Sequence, residues 1–572
     1  MGQIVKLICP KKSIAVYIWD SGTGQTTNFK IFTICILICP SVPIFRGKGD
    51  MTRNLKVLGG PGCGKTFKLM SQYRELLAEG YTPEDITLIT FRKSSAMDLI
   101  NSTVQQSNHS IAALKEHVGT IHSICNRLAK PVLSEETKLM SNTDYLNFIK
   151  EYKYSNFVKL PSVKIEEEES VYSGNLFDLY TWLRNTNLPP EKYYKYPGAE
   201  NVQLPGNKIP EFINNYNEFK TKNNRIDFSD MIQIVIDNKI DLDTPVLMMD
   251  EFQDLTAQMY ALFNMWAPKR EFVTIAGDPN QSIYGFWGGS PDYYNKWQAE
   301  ECILMETHRL PEQIKQFGIK VLKMGGMTAP DTKAKSGYKN PITCLRFEDK
   351  KPTYRTELHL IRCNYQSGAV AMELATEGKL YTGISGWTEE EVELANAILA
   401  YRKGKLLEKN QIKILTSMFS PKIYGKSETK ASINAMIDKK YKPDLRASAE
   451  LLKPAILDSL VSDDPTLKMT TNSKIFTAKI KGILNRNKPL DIKEAYNRKI
   501  LTIHGSKGLE ADAVFLHTAI TPKIWKATVL PCEEYSAEAR VWYVGVTRAR
   551  EALYIIKDAG NNWKLPAVGV EA

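Results

Sequence analysis

The nine cysteines form no CxxC pair and no zinc-ligand spacing. This excludes a disulfide-stapled secreted module and a structural zinc domain, and fits unpaired thiols in a reducing compartment such as the cytoplasm. The chain also lacks an apolar run long enough to cross a bilayer. The strongest candidate, Ile31 to Phe45, is too short and carries Pro40 and Pro43. No lysine or arginine cluster opens the chain, so neither a secretory signal nor a membrane partner is expected. An acidic excess is missing too. Lysine and arginine number 75 against 64 acids, giving a net charge of +11 and a pI near 8.9. That balance points to a polyanionic partner, nucleic acid before membrane. Apolar content is ordinary, and the 572 residues leave room for about three to five domains or subdomains.

Residues 1–50 differ in character from the rest and are read as an N-terminal extension, non-native or disordered. Lys48-Gly49-Asp50 ahead of Met51 could be encoded by AAA GGA GAY ATG, which looks like a bacterial ribosome-binding site before a start codon. The working protein is therefore expected to begin at Met51. The intact mass of protein made from the native gene tests this.

What is present is organised around GGPGCGKT, Gly59 to Thr66, which follows a small apolar run and precedes a helix-like segment. A strand, a glycine-rich turn and a helix start at this spacing form a phosphate-binding loop, in which backbone N–H groups cradle a polyphosphate. Gly59, Gly60, Pro61, Gly62, Cys63 and Gly64 shape the loop, with Cys63 as a small space-filler. Lys65 reaches the β- and γ-phosphates, and the Thr66 hydroxyl holds Mg²⁺. Downstream, Val246 to Met249 reads as a buried strand ending in Asp250 and Glu251. Two carboxylates there have a clear use: Asp250 for Mg²⁺, Glu251 to orient and polarise an attacking water.

A second group of residues suits single-stranded nucleic acid, which needs stacking faces beside cations. The strand Ile86 to Thr90 ends at Phe91, beside Arg92 and Lys93; Phe91 fits either a stacking face or a core position. Tyr284, Phe286 and Trp287 lie in the glycine-rich loop that follows the strand at Phe272 to Ile275, where base stacking is the better use of them. Gln281 opens the same loop as a candidate γ-phosphate sensor. His122 stands near the start of an amphipathic helix, where a cap or a satisfied buried group is the ordinary role. Arg309 sits in METHRLPEQI between a strand-like run and a helix start. Arg548 belongs to SAEARVWYVGVTRAREALYII, read as a helix carrying that arginine and then a strand. Lys-, Tyr- and Glu-rich residues 130–224 and Lys-rich residues 387–498 read as helical insertions; Glu166 to Glu169 is a solvated helix face.

Taken in order, Gly59–Thr66, TFRKSSA, GTIHS, DEFQD, GDPNQSIYGF, THR, TIHGSKGLEADAVFL and YVGVTRAREAL resemble the UvrD/Rep-like branch of superfamily 1 DNA helicases. The likeness runs from Leu55 to Ile556 and is closest in these blocks. It implies an α/β fold of two RecA-like P-loop NTPase domains with parallel sheets, residues 51–129 with 225–310 and residues 311–386 with 499–560, followed by a tail at 561–572. ATP and Mg²⁺ would sit in the cleft. Arg309 and Arg548 would contact the γ-phosphate, and Glu251 and Gln281 would complete the catalytic set. Phe91, Tyr284 and Phe286 would stack on single-stranded DNA, with His122 and His504 in motifs facing it. Glu510 would contact the ribose. Three departures stand out. No adenine-recognition glutamine precedes the loop, Trp287 replaces the usual arginine, and His308 replaces the usual tyrosine beside the adenine. The implied activity is a 3′ to 5′ helicase acting on single strands and duplex–single-strand junctions. The alternatives are a single-strand translocase, or a DNA-binding protein with a vestigial ATPase.

Overall fold

The computed structural model describes residues 6–8, 14–16, 53–91, 111–157, 175–335, 342–424, 428–441, 451–466, 469–470, 473–527, 533–558 and 560–566. Arg92, Lys93, Glu166 to Glu169 and the apolar stretch Ile31 to Phe45 lie outside them. Met1–Met51 forms one compact unit and Thr52–Ala572 another. Within the first, Lys6–Ile8 and Ile14–Val16 pair antiparallel.

The second unit holds two six-stranded sheets. In the first lobe the strand order is Glu300–Leu304, Arg53–Gly59, Phe272–Gly277, Val246–Met249, Ile86–Thr90, Val118–Thr120, parallel throughout. Ile86–Thr90 and Val246–Met249 are buried at every position, as strands covered on both faces must be. In the second lobe the order is Ile342–Arg346, Ala549–Lys557, Ala511–His517, Glu357–Ile361, Arg498–Thr502, Thr382–Gly383, again all parallel. The class is thus the α/β arrangement expected from the sequence. Between the lobes, Glu306–Pro311 continues as a strand pairing with Lys333–Lys335 before the helix Glu312–Met324. In such sheets the carboxyl ends of the strands carry the site.

Residues 130–224 supply the helices Asn142–Glu151, Leu176–Thr186 and Ile209–Lys222, packed on an aromatic core that includes Phe148, Phe177, Phe212 and Tyr216. Where this insertion returns to the first lobe, the buried Lys220 ammonium lies 2.7 Å from Asp227 and 2.5 Å from Asp230. Asp227 in turn caps the helix Phe228–Asp237 by accepting from the Asp230 N–H at 3.0 Å. The second insertion contributes Glu389–Arg402, Lys409–Ser417, Lys430–Lys440, Pro454–Val461 and Lys474–Arg486. Its Ile398, Leu415 and Ile480 share one continuous core with Ile361, Val370 and Leu374 of the second lobe.

Candidate active site and nucleic-acid interface

The strand Arg53–Gly59 delivers a loop in which Gly62 and Gly64 take φ of 72° and 81°, a left-handed backbone that glycine adopts without strain. At Gly62 there is a second requirement: a Cβ there would stand 2.4 Å from the Cβ of Arg309. The loop is pinned to the arginine-bearing strand from both sides. Thr307 Oγ1 donates to the Pro61 carbonyl at 2.8 Å, and the N–H of the exposed His308 donates to the Gly62 carbonyl at 3.0 Å. The helix Lys65–Ala78 starts at Gly64 with no side-chain cap. Its first amides are therefore available to an anion, which the helix dipole favours. Lys65 Nζ donates to the Gly59 carbonyl at 2.8 Å. Burial pushes the Cys63 thiol pKa up, so this sulfur stays protonated and fills space.

Asp250 and Glu251 follow the strand Val246–Met249. Thr66 Oγ1 donates to Asp250 Oδ2 at 2.7 Å. A hydroxyl and a carboxylate converging at the loop fit Mg²⁺, which takes one or two protein oxygens and fills its shell with phosphates and water. Among the described residues no cluster of three or more His, Cys, Asp or Glu forms an all-protein metal site. Glu251 has a φ of 54°, a left-handed conformation rare outside glycine and concentrated at functional sites. That twist turns its carboxylate off the strand line, where Gln253 Nε2 donates to it at 2.5 Å. Gln253 Oε1 accepts from the Asp278 N–H at 3.0 Å, and Asp278 Oδ2 accepts from Gln281 Nε2 at 2.7 Å. Burial, together with the Glu251 anion, raises the Asp250 pKa to about 6. Burial works the same way on Glu251, but Lys507 and Lys65 outweigh it and hold that carboxyl down to about 2.

The second lobe reaches across the cleft. Arg548 lies in the short link between the helix Glu533–Val546 and the strand Ala549–Lys557, not on the helix as expected. The helix stops because the chain must join the sheet at Ala549, opposite Ala511. Buried Arg548 donates through Nη2 to Gln281 Oε1 at 3.1 Å. Arg309 Nε donates to Glu510 Oε2 at 2.5 Å, and Arg550 Nη1 donates to Glu510 Oε1 at 3.4 Å. Glu510, placed on the ribose by resemblance, thus holds two arginines here.

The aromatic candidates form one row. Phe91 stacks on Tyr284 at 5.2 Å and 17°, and Trp287 meets Phe91 edge-on at 6.1 Å. His122 lies 6.2 Å from Trp287, and Phe228 lies 5.6 Å from His122. Toward the second lobe, Phe286 sits 6.1 Å from Tyr284 and 5.4 Å from His504. Burial lowers the His122 pKa to about 4, so this ring is neutral and presents a face rather than a charge. The first insertion supports the row: Asn185 Nδ2 donates to the Trp287 carbonyl at 2.8 Å.

Four residues of this region escaped the sequence reading. Gln253 and Asp278 fall inside quoted motifs but reveal their link only through long-range partners. Phe228 is in helical phase with the buried Met231, Ile232 and Val235 and so reads as core, yet it is 42% exposed. Lys507 lies in the GSKGLE block, with nothing in the sequence to send it into the first lobe.

Two parallel α/β lobes, a phosphate loop with paired acids on one and an arginine reaching in from the other, define a two-domain P-loop NTPase. The known proteins narrow this further. Residues 48–301 match a family model described as the UvrD/REP helicase N-terminal domain, and residues 499–556 match the UvrD-like helicase C-terminal domain. The chain belongs to the UvrD/Rep-like helicase family. It is 21% identical over 615 aligned residues to a probable DNA helicase II homolog of Rickettsia felis, covering 88% of this chain and 89% of that one. Against the ATP-dependent DNA helicase Rep of Buchnera aphidicola it is 22% identical, covering 87% and 90%. A putative ATP-dependent DNA helicase of Bacillus subtilis, YjcD, shares 25% identity over 46% of this chain and only 36% of its own length. Among the described residues no helix is long and apolar enough to cross a membrane.

Proposed function

We propose that this chain is an ATP-hydrolysing DNA helicase that moves 3′ to 5′ along single-stranded DNA and separates strands, in the cytoplasm. The observation that carries the reading is the Arg548–Gln281 contact at 3.1 Å, which joins the lobes beside the phosphate loop. Gln281 lies three residues before Tyr284 of the aromatic row. A change at the triphosphate is thereby felt by the surface that holds bases.

In this reading Lys65 and the first-turn amides of its helix hold the β- and γ-phosphates. Thr66 and Asp250 would hold Mg²⁺, which when bound neutralises phosphate charge and polarises the phosphoryl oxygens. Glu251, kept anionic by Lys507 and Lys65, accepts a hydrogen bond from the attacking water and orients it in line. Arg548 and Arg309 stabilise charge developing on the phosphoryl oxygens. For Arg309 this requires exchanging Glu510 for phosphate. As the cleft closes and reopens, Phe91, Tyr284 and Phe286 pass bases along the row.

ATP hydrolysis measured with and without single-stranded DNA, followed by unwinding of 3′- and 5′-tailed duplexes, tests the proposal. DNA-stimulated hydrolysis with unwinding of the 3′-tailed substrate is expected. Hydrolysis indifferent to DNA rejects the motor. Translocation without unwinding reduces it to a translocase, and unwinding only from 5′ tails reverses the direction.

A further inference from the structure

Phe67 is 71% exposed, the most open large apolar side chain among the described residues. It directly follows Lys65 and Thr66 in the first turn of the helix Lys65–Ala78, whose core face is carried by Leu69, Met70, Tyr73 and Leu76. The phenyl ring takes no part in that core. Two turns along, the Arg74 guanidinium stands 5.7 Å from the ring centre, a cation–π contact that holds the plane in place. A second exposed ring is rooted at the other end of the glycine turn. His308 belongs to the strand Glu306–Pro311 and is exposed, with its backbone N–H fixed on the Gly62 carbonyl at 3.0 Å. Phe67 is set as closely at the far end, its Cβ 3.8 Å from where a Cβ on Gly64 would stand. The remaining groups fix which way a triphosphate runs. Thr66 and Asp250 meet at the metal end, and Gln281, joined to Arg548 at 3.1 Å, closes the γ end in buried surroundings. A triphosphate anchored there by the loop amides leaves its nucleoside at the open side of the loop, where Phe67 and His308 stand.

We propose that Phe67 and His308 hold the nucleotide base by stacking alone, so that the chain hydrolyses purine nucleoside triphosphates as a class, GTP as readily as ATP, with pyrimidines behind them. The inference rests on the helicase reading and widens its substrate from ATP to that class. Adenine and guanine differ at their edges, an amino donor on one against a carbonyl acceptor on the other. A phenyl ring has neither donor nor acceptor to meet them. The ring nitrogens of His308 lie in the ring plane, so in a stack they point past the base rather than at its edge. What a stack feels is the area of the π face, which every base has and purines have more of. A site that hydrogen-bonds the edge can reject the wrong group by about 10⁴–10⁵-fold; two stacked rings discriminate by far less.

The test measures steady-state hydrolysis of ATP, GTP, CTP and UTP by the full chain with Mg²⁺ and saturating oligo-dT. The kcat/KM for GTP should lie within about threefold of that for ATP, and those for CTP and UTP about tenfold lower, the scale of a partly lost stack. Phe67→Ala should raise the KM for ATP and GTP by about tenfold, with the loss in KM rather than kcat because the ring is remote from the γ-phosphate. Phe67→Tyr keeps the π face and should keep both KM values. Phe67→Leu keeps apolar bulk only and should behave as the alanine variant. Since Phe67 lies outside the core, all three should melt with the unmodified chain. Inhibition by inorganic tripolyphosphate, which has no base, should not change. A preference for ATP over GTP of about a hundredfold or more overturns the proposal while leaving the helicase reading intact, since it demands a group that reads the base edge. An unchanged KM in Phe67→Ala overturns it too, as does an equal loss of tripolyphosphate inhibition, which would place the defect in the loop. If the unmodified chain hydrolyses none of the four, the helicase reading falls first, and the proposal with it.

Discussion

The two lobes repeat one plan, six parallel strands ending at a shared cleft, but their buried charges are used differently. In the first lobe the acids at the cleft are held in tension: Asp250 is pushed up by burial and its neighbour, while Glu251 is held down by lysines from both lobes. In the second, the buried carboxylate Glu357 is fully paired. Arg498 donates to it through two nitrogens, with Nη2 at 3.1 Å and Nε at 2.5 Å. The same architecture serves chemistry in one case and rigidity in the other. A lobe whose buried Glu357 is paired within its own sheet can carry Arg548 and Lys507 into a lobe where Asp250 and Glu251 stand beside the phosphate loop.

The strongest way to break this division is Lys65→Ala. Turnover should fall to background while oligo-dT affinity stays within about threefold, because phosphate binding and base stacking occupy separate residues. Retained hydrolysis would reject the site. Next comes Arg548→Ala, a probe from the second lobe, expected to lower kcat by about 10²–10³-fold through loss of one charge-stabilising donor. An unchanged kcat would make the second lobe a bystander. Tyr284→Ala and Phe286→Ala should each weaken single-strand binding by about 1–3 kcal/mol, the value of one base stack; Phe228→Ala should fall at the low end of that range. Unchanged affinity in all three returns the row to packing.

The smallest effect is in pH, and its sign differs between the lobes. Asp250 titrates at about 6 when folded against about 3.9 unfolded. Its contribution to the ligand-free chain is therefore full below pH of about 4 and lost as pH rises through 6. Mg²⁺ needs the ionised form, so the rise in melting temperature on adding Mg²⁺ should be greater at pH 8 than at pH 5. For Glu357, burial would raise the pKa, but the His359 ring and the Arg498 fork hold it to about 2. Its contribution is thus present above about pH 4.3, the unfolded value, and lost as pH falls toward 2. An Mg²⁺ effect equal at both pH values would remove Asp250 from the metal site.

Much of this was legible from sequence because the strands are fully buried runs that end in their functional residues. Val246–Met249 followed by two acids needs no long-range information, and neither does a glycine loop entering a helix. The aromatic row was legible as composition, since Tyr284, Phe286 and Trp287 share one loop, but its order was not. The pairing of Lys507 with Asp254 and that of Glu510 with Arg309 could not be placed, because each joins residues more than two hundred positions apart. The second insertion shows apolar spacing in its helices, but nothing in that spacing says that Ile398 and Ile480 meet Ile361.

That shared core has a practical corollary for anyone reshaping the molecule. The aromatic nucleus around Phe148 and Phe212 is built from the insertion's own residues and joined to its host by the packing of Leu176–Thr186 on the helices Phe228–Asp237 and Ala257–Trp266, by the Lys220 junction and by the Asn185 contact, so repacking that nucleus leaves the cores of both lobes covered. Residues 387–498 cannot be treated that way. Excising them would strip Val370 and Leu374 of their covering, and the sheet that carries Arg548 would lose its outer wall.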